Sequence, residues 1–303
     1  MARVQSLVVF GSGPWAQRHM ATIERAPNLA LAGVVSNSLS VRKRPLIDGI
    51  EPARIWPSAE VVIEAGYPID GAVLARTPDE NLDDCRTLIE AGIAVLAEKP
   101  LGLSAAATRS VTARAEALKV PLMVNLIHLF HPGYRELKKK LAEIGELRRI
   151  ESTGGNWGPF RPYMSALWDY GPHDLAFAFD VTDALPQVVT LDRLEGDASR
   201  HIIRMRLAFP GRVTAELTFG NLMKTKCREL YCEGSDGTLR LVDYPEAQLW
   251  LNDQRIFFDG PSPLSCVLQA FGDQIRQRFT RHRTAEFACH ISKILEQAEE
   301  SLR

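Results

Sequence analysis

The chain has 303 residues, with 36 lysines and arginines against 37 aspartates and glutamates, a formal net charge of -1, and 46% hydrophobic residues. That length can hold two hydrophobic cores, near neutrality argues against nucleic acid as the main partner, and no apolar run is long enough for a membrane helix. Five cysteines, Cys85, Cys227, Cys232, Cys266 and Cys289, show no CxxC spacing, so reduced thiols in a cytoplasm are the expectation. The short apolar opening segment runs straight into a glycine turn and is not read as a signal peptide.

Residues 7–10 form an apolar run of strand type, and residues 14–25 read as a helix whose first turn accepts a proline, because the amide there is unpaired anyway. Between them lies the GxGxxA turn Gly11-Ser12-Gly13-Pro14-Trp15-Ala16. In a strand-to-helix turn Gly11 permits the tight bend, Gly13 lets a diphosphate approach the backbone, and Ala16 allows close helix packing, with the phosphates at the helix N-terminus. Residues 29–35, 72–75 and 94–97 continue as strands, with a helix over 82–91, and residues 121–124 close this half. Near-continuous apolar strands alternating with helices imply a parallel sheet covered on both faces. Thr77-Pro78 and Glu98-Lys99-Pro100 then fall at carboxyl ends of strands, the edge where such sheets bind ligands.

After residue 124 the pattern changes. A helix is expected over 132–144, then strands over 147–153, 187–194, 201–209, 213–219, 226–233, 237–242 and 254–258, and a final helix over about 284–302. This predicts an antiparallel meander with one packed face. The expected domains are 1–124 and 125–303, an α/β Rossmann unit followed by an α+β unit with an open, mostly antiparallel sheet. The basic runs at 138–140 and 276–283 are read as solvated helix faces.

The order of the glycine turn, Ala-Arg-Thr-Pro at 75–78, Glu98-Lys99-Pro100, Pro-Leu-Met-Val-Asn at 121–125 and Asp169-xxx-His173 resembles the glucose-fructose oxidoreductase and inositol dehydrogenase (Gfo/Idh/MocA) family across essentially the whole chain. The resemblance implies a nicotinamide-dependent oxidoreductase acting on sugars, cyclitols or related small molecules, and a homodimer or homotetramer formed through the C-terminal sheet. It assigns Lys99, Asp169 and His173 to catalysis. It places Gly11, Ser12, Gly13, Pro14, Trp15, Ser36, Asn37, Arg42, Thr77, Pro78, Glu98 and Lys99 at the cofactor, and Lys99, Asn125, Trp157, Tyr163, Asp169 and His173 at the substrate. Chemically, hydride transfer at a carbinol carbon needs the hydroxyl proton moved, which suits a histidine, and an ammonium to hold developing alkoxide charge. A spacing of four puts Asp169 and His173 on one helix face if they share a helix.

The cofactor strand at 29–35 ends in Ser36-Asn37-Ser38 without an acidic residue for the ribose hydroxyls, and Arg42-Lys43-Arg44 follow. That favours NADP over NAD, the alternative being that these basic residues face solvent. Trp157, Arg161 and Tyr163 either line the pocket or are ordinary loop and core residues. His128 and His131 tempt a metal reading, which is set aside, so no metal is expected. Asn81 and Leu129 replace a histidine and an arginine frequent in the family, which weakens transfer of substrate contacts. A cofactor sensor and a glycoside-cleaving enzyme that uses bound cofactor transiently are the other readings, and joint retention of Lys99, Asp169 and His173 favours catalysis over sensing.

Overall fold

A computed structural model describes residues 3–37, 54–278 and 282–302. The chain divides into two compact units, one of residues 1–125 with 264–289, the other of residues 126–263 with 290–303.

In the first unit six strands form a sheet in the order β3-β2-β1-β4-β5-β6, all paired in parallel. They are β1 (Gln5–Phe10), β2 (Leu29–Val35), β3 (Ile55–Trp56), β4 (Gly71–Leu74), β5 (Ala94–Glu98) and β6 (Leu122–Asn125). This is the doubly wound order, whose strand direction of winding reverses beside β1 and so opens a crevice at the carboxyl ends of the strands. Leu7, Val8, Val9 and Phe10 are wholly buried, as a strand covered on both faces requires. Helices α1 (Pro14–Arg25), α2 (Ala59–Glu64), α3 (Pro78–Glu90) and α4 (Ala105–Leu118) connect them. The first of these buries Ala16, His19, Met20 and Ile23 at helical spacing and exposes its charged face.

The expected domain boundaries need one correction. Residues 264–289, placed by sequence in the second domain, belong to the first unit. Most of this segment is α7 (Pro263–Gln277), which sequence reading did not recognise as a helix. Its Phe271 and Ile275 side chains lie against Gly71 of β4, where a Cβ would come within 3.0 Å of them. Gln5 Nε2 donates to the Gly272 carbonyl at 2.8 Å and Gln274 Nε2 to the Leu122 carbonyl at 3.4 Å. An apolar helix face thus finishes the cover of the parallel sheet, using a segment far along the chain.

In the second unit eight strands form the order β14-β13-β12-β11-β7-β10-β9-β8. They are β7 (Leu147–Trp157), β8 (Val188–Gly196), β9 (His201–Ala208), β10 (Thr214–Gly220), β11 (Leu222–Gly234), β12 (Thr238–Val242), β13 (Gln248–Leu251) and β14 (Gln254–Ile256). The expected meander is also corrected: β7 sits between β10 and β11 and pairs with β10 in parallel, while the other pairings are antiparallel. One face is apolar, with Ile150, Ile203, Met205, Leu217, Phe219 and Leu230 buried. The other carries cross-strand ion pairs such as Arg206 with Asp192 and Glu216. Helix α5 (Pro132–Lys140) and helix α6 (Ala166–Thr182) belong to this unit. The second is buried along almost its whole length and packs on β7, β9 and β10. The last helix, α8 (Arg283–Ser301), begins in the first unit and ends in the second.

Candidate active site

In the first unit the turn after β1 is dictated by its glycines. Gly11 has φ +113°, and a Cβ there would lie 2.7 Å from the Ala75 carbonyl oxygen, so a side chain is excluded by both conformation and space. Its amide donates to the Val35 carbonyl at 2.9 Å, tying the turn to the end of β2. Gly13 is the N-cap of α1, and a Cβ there would meet nothing within 4 Å. Pro14 follows at the first helical position, and no acidic residue lies in the first turn. The opening amides of a helix have no intrahelical partners and carry positive partial charge. An open backbone beside such amides, with no nearby carboxylate, fits the diphosphate of a dinucleotide. Trp15 stacks edge-on to His19, with ring centroids 6.0 Å apart.

Ser36, Asn37, Thr77 and Glu98 lie on the same carboxyl edge. Ser36 is buried, its amide donating to the Trp56 carbonyl at 2.9 Å, while Asn37 is exposed. Arg42 lies outside the described residues. Thr77 caps α3, its hydroxyl donating to Glu80 Oε2 at 2.7 Å. Asn81 clasps Arg76 by accepting its amide proton at 2.9 Å and donating to its carbonyl at 3.2 Å, which shows what this asparagine does where the family often has histidine. Arg76 also pairs with Asp84 at 3.1 Å; burial still pushes the Asp84 carboxyl up to about 6.

Glu98 and Asn125 are placed differently from expectation. Glu98 Oε1 accepts from Asn125 Nδ2 at 2.7 Å and stands 2.7 Å from His19 Nε2, with His19 and Asn125 fully buried. Both side chains, expected at cofactor and substrate, are therefore engaged in the interior, anchoring the strand end from which Lys99 emerges. His19 was not singled out from sequence. Its only signal was a polar residue on the apolar face of α1.

In the second unit α6 holds Asp169 and His173 one turn apart, the arrangement their spacing allows. Asp169 is buried and accepts from Arg161 Nε at 2.9 Å. Arg161 Nη1 in turn donates to the Tyr163 hydroxyl at 3.0 Å, so Arg161, which the sequence leaves open between pocket lining and ordinary loop, joins two of the expected residues. Trp157, at the end of β7, is 61% exposed and meets Phe160 edge-on at 5.9 Å. Tyr170 donates to the Gly158 carbonyl at 2.7 Å, fixing the start of the loop that carries Arg161 and Tyr163. The ring of His128 lies against His173, centroids 4.6 Å apart. Beside it Asp174, wholly buried, accepts from Ser152 Oγ at 2.5 Å and from Arg228 Nη1 at 2.7 Å. Among the described residues no group is arranged to hold a metal ion.

A doubly wound sheet with a glycine turn at a helix N-terminus has the form of a dinucleotide-binding unit. Residues 6–126 match the model of the Gfo/Idh/MocA family, an oxidoreductase family with an NAD-binding Rossmann fold. The chain is 24% identical to the rhizopine catabolism protein MocA of Rhizobium meliloti over 78% of its own length and 69% of that protein's. It is 27% identical to inositol 2-dehydrogenase 2 of Saccharopolyspora erythraea over 56% of its own length and 51% of that protein's. The whole fold is similar to aldose-aldose oxidoreductase from Caulobacter crescentus complexed with glycerol (TM-score 0.87, 17% identity, 99% of each chain covered). It is also similar to a 3-ketoreductase from Actinomadura kijaniata in complex with TDP-benzene and NADP (TM-score 0.82, 21% identity, 99% and 98% covered). No helix among the described residues is long and apolar enough to cross a membrane.

Proposed function

We propose that this chain is an NAD(P)-dependent oxidoreductase that moves hydride between its nicotinamide cofactor and a CH–OH carbon of a sugar, cyclitol or related polyhydroxylated molecule. The observation that carries the reading is the Asp169–His173 couple one turn apart on α6, in a chain whose other unit has Lys99 directly after β5 at the carboxyl edge of a dinucleotide-type sheet. The bound nicotinamide supplies the hydride acceptor or donor. His173 takes the hydroxyl proton in oxidation and returns it in reduction. The Lys99 ammonium polarises the reacting oxygen and holds the alkoxide charge that develops. Asp169, its charge balanced by Arg161, accepts from a substrate hydroxyl or orients the imidazole.

The substrate class is supported by the exposed aromatics Trp157 and Tyr163, which offer flat apolar surface with a polar rim, a match for the C–H faces of a sugar. It is supported also by the names of the relatives, which act on an inositol or an aldose. NADP is proposed over NAD because β2 ends in Ser36 and Asn37 with no carboxylate to repel a 2′-phosphate, and Arg42 follows. Self-association through the second sheet is proposed as well, its ladder of charged pairs forming the contact.

The test is a screen of sugars and cyclitols for formation of reduced cofactor, run with both cofactors. His173→Ala should lower turnover about a hundredfold to ten-thousandfold while cofactor binding stays within about twofold of the parent, because the phosphate turn belongs to the other unit. A parent protein that binds cofactor but reduces none with any polyol would remove the hydride-transfer reading. Tighter binding of NAD than of NADP would remove the cofactor preference.

A further inference from the structure

The polar cluster behind His173 has no part in the steps above. Asp243, which follows β12, receives two histidines: His131 Nε2 stands 3.1 Å from Oδ1 and His128 Nδ1 3.5 Å from Oδ2. The tautomer of His131 follows from its second contact. The Gly133 amide donates to His131 Nδ1 at 3.1 Å, so the proton of the neutral ring is on Nε2, the nitrogen nearest Asp243. His128 is kept neutral by burial, which lowers its pKa. With Nδ1 turned to a carboxylate, its proton sits there and Nε2 is left as an acceptor. Burial works against the Asp243 charge, but the two histidines outweigh it and hold the carboxyl well below its ordinary range.

The His128 ring meets His173 at an interplanar angle of 87° with centroids 4.6 Å apart, and Phe177, one turn further along α6, borders it at 5.9 Å. The remaining charged groups around it are compensated. Arg228, on β11, lines the same small cavity and pairs with Asp174; Asp169, on α6, pairs with Arg161. The cavity, about 10 Å³, has room for about one water. Arg228 and the Asp243 carboxylate act on His128 in opposite senses, and Asp243 is the one that its Nδ1 faces.

We propose that His128 is a positioning residue for His173, fixed in one tautomer by Asp243, which His131 braces from the other side. A carboxylate that draws on the Nδ1 proton makes the rest of the ring electron-rich. Set against His173, such a ring favours the imidazolium that forms when His173 takes a proton, as a buried aspartate does for the histidine of a serine-protease triad. Only the effect on turnover rests on the oxidoreductase reading; the coupling of the two rings does not.

The experiment is a titration of histidine-labelled protein by nitrogen-detected NMR, paired with kinetics. In the parent at neutral pH, His128 should carry its proton on Nδ1; a proton on Nε2 would overturn the proposal without any variant. His128→Asn keeps a donor where Nδ1 stood, so Asp243 stays hydrogen-bonded while the ring is lost. It should lower the His173 pKa by about half a unit or more and kcat by about tenfold, with substrate KM within about threefold. Asp243→Asn, which removes control of the tautomer, should move His173 the same way. If His173 titrates as in the parent in both variants, the positioning role is wrong whatever the activity. If it shifts, while the parent turns over no polyol, the coupling holds and the assigned reaction fails.

Discussion

Gly13→Ala separates cofactor binding from folding. Gly13 has φ -71° and ψ 174°, a conformation open to any residue, and an added Cβ would touch nothing within 4 Å. Its cost to the fold is that of a poorer N-cap, about 0.5–1 kcal/mol, or about 1–4 °C in Tm. The same methyl would stand where a diphosphate must approach the backbone, so dinucleotide affinity should fall about a hundredfold, or about 2.7 kcal/mol. At a cofactor concentration of 100 times the parent Kd, the parent gains about 2.7 kcal/mol and the variant about 0.4 kcal/mol. Thermal melts with and without NADP would then show an upward shift of about 5–10 °C in the parent and about 1–2 °C in the variant. Gly11→Ala should behave oppositely, unfolding more readily even without cofactor. Its φ of +113° and the 2.7 Å approach to the Ala75 oxygen impose a strain of about 1–3 kcal/mol before any displacement of the backbone. A Gly13→Ala protein that keeps the full cofactor-induced shift would refute the diphosphate placement.

Two further outcomes concern buried charge. Arg228→Met should destabilise the second unit by about 3–5 kcal/mol, because Asp174 is wholly buried and would keep only the Ser152 hydroxyl; the double change with Asp174→Asn should recover much of the loss. A urea midpoint for Arg228→Met equal to the parent's would show that the pair is not coupled. The stability contributed by the buried histidines should also fall with acid from about pH 6.5 downward, while Asp84, raised to about 6, acts in the opposite sense over the same range. Burial lowers the pKa of His128 and His201 and holds His282 at about 4. The unfolded chain then takes up protons first as pH drops below about 6.5, so the stability these residues contribute is full above that value and lost as pH nears their folded values, up to about 3 kcal/mol for His282 alone. Asp243 adds a loss only further down, because its folded value lies below the unfolded one near 3.9. The difference in urea midpoint between the parent and His282→Asn at pH 7.5, 5.5 and 4.5 isolates the His282 part, and a difference that does not change with pH would contradict it.

What could be read from the chain is what one element encodes by itself. The glycine turn, the apolar strands and the spacing of Asp169 and His173 are local patterns, and the doubly wound sheet and dinucleotide turn follow from them. Helix α6 was only conditional, because Gly171-Pro172 reads as a turn and a helix buried on nearly all sides has no polar face to mark its period. Helix α7 shows its apolar face in sequence, but nothing local says that the face covers Gly71 and Gln5 rather than the sheet that precedes it in the chain. The parallel pairing of β7 with β10 is likewise a non-local choice.

The site divides on the same line. Ionisable residues of the motifs sit close together in sequence, whereas the groups that partner them arrive from elsewhere: His19 and Asn125 on Glu98, Arg228 on Asp174, and Asp243 on His128 and His131. A buried charge is tolerable only with such a partner, so each ionisable residue in a buried motif implies a compensating group that the fold must deliver. The sequence shows that the demand exists and leaves its source open among many candidates. For Asp243 the source lay more than a hundred residues upstream, in two histidines that looked like a broken metal motif. Their shared carboxylate partner, and the backbone amide that fixes the tautomer of one of them, are what the proposed bracing of His173 rests on.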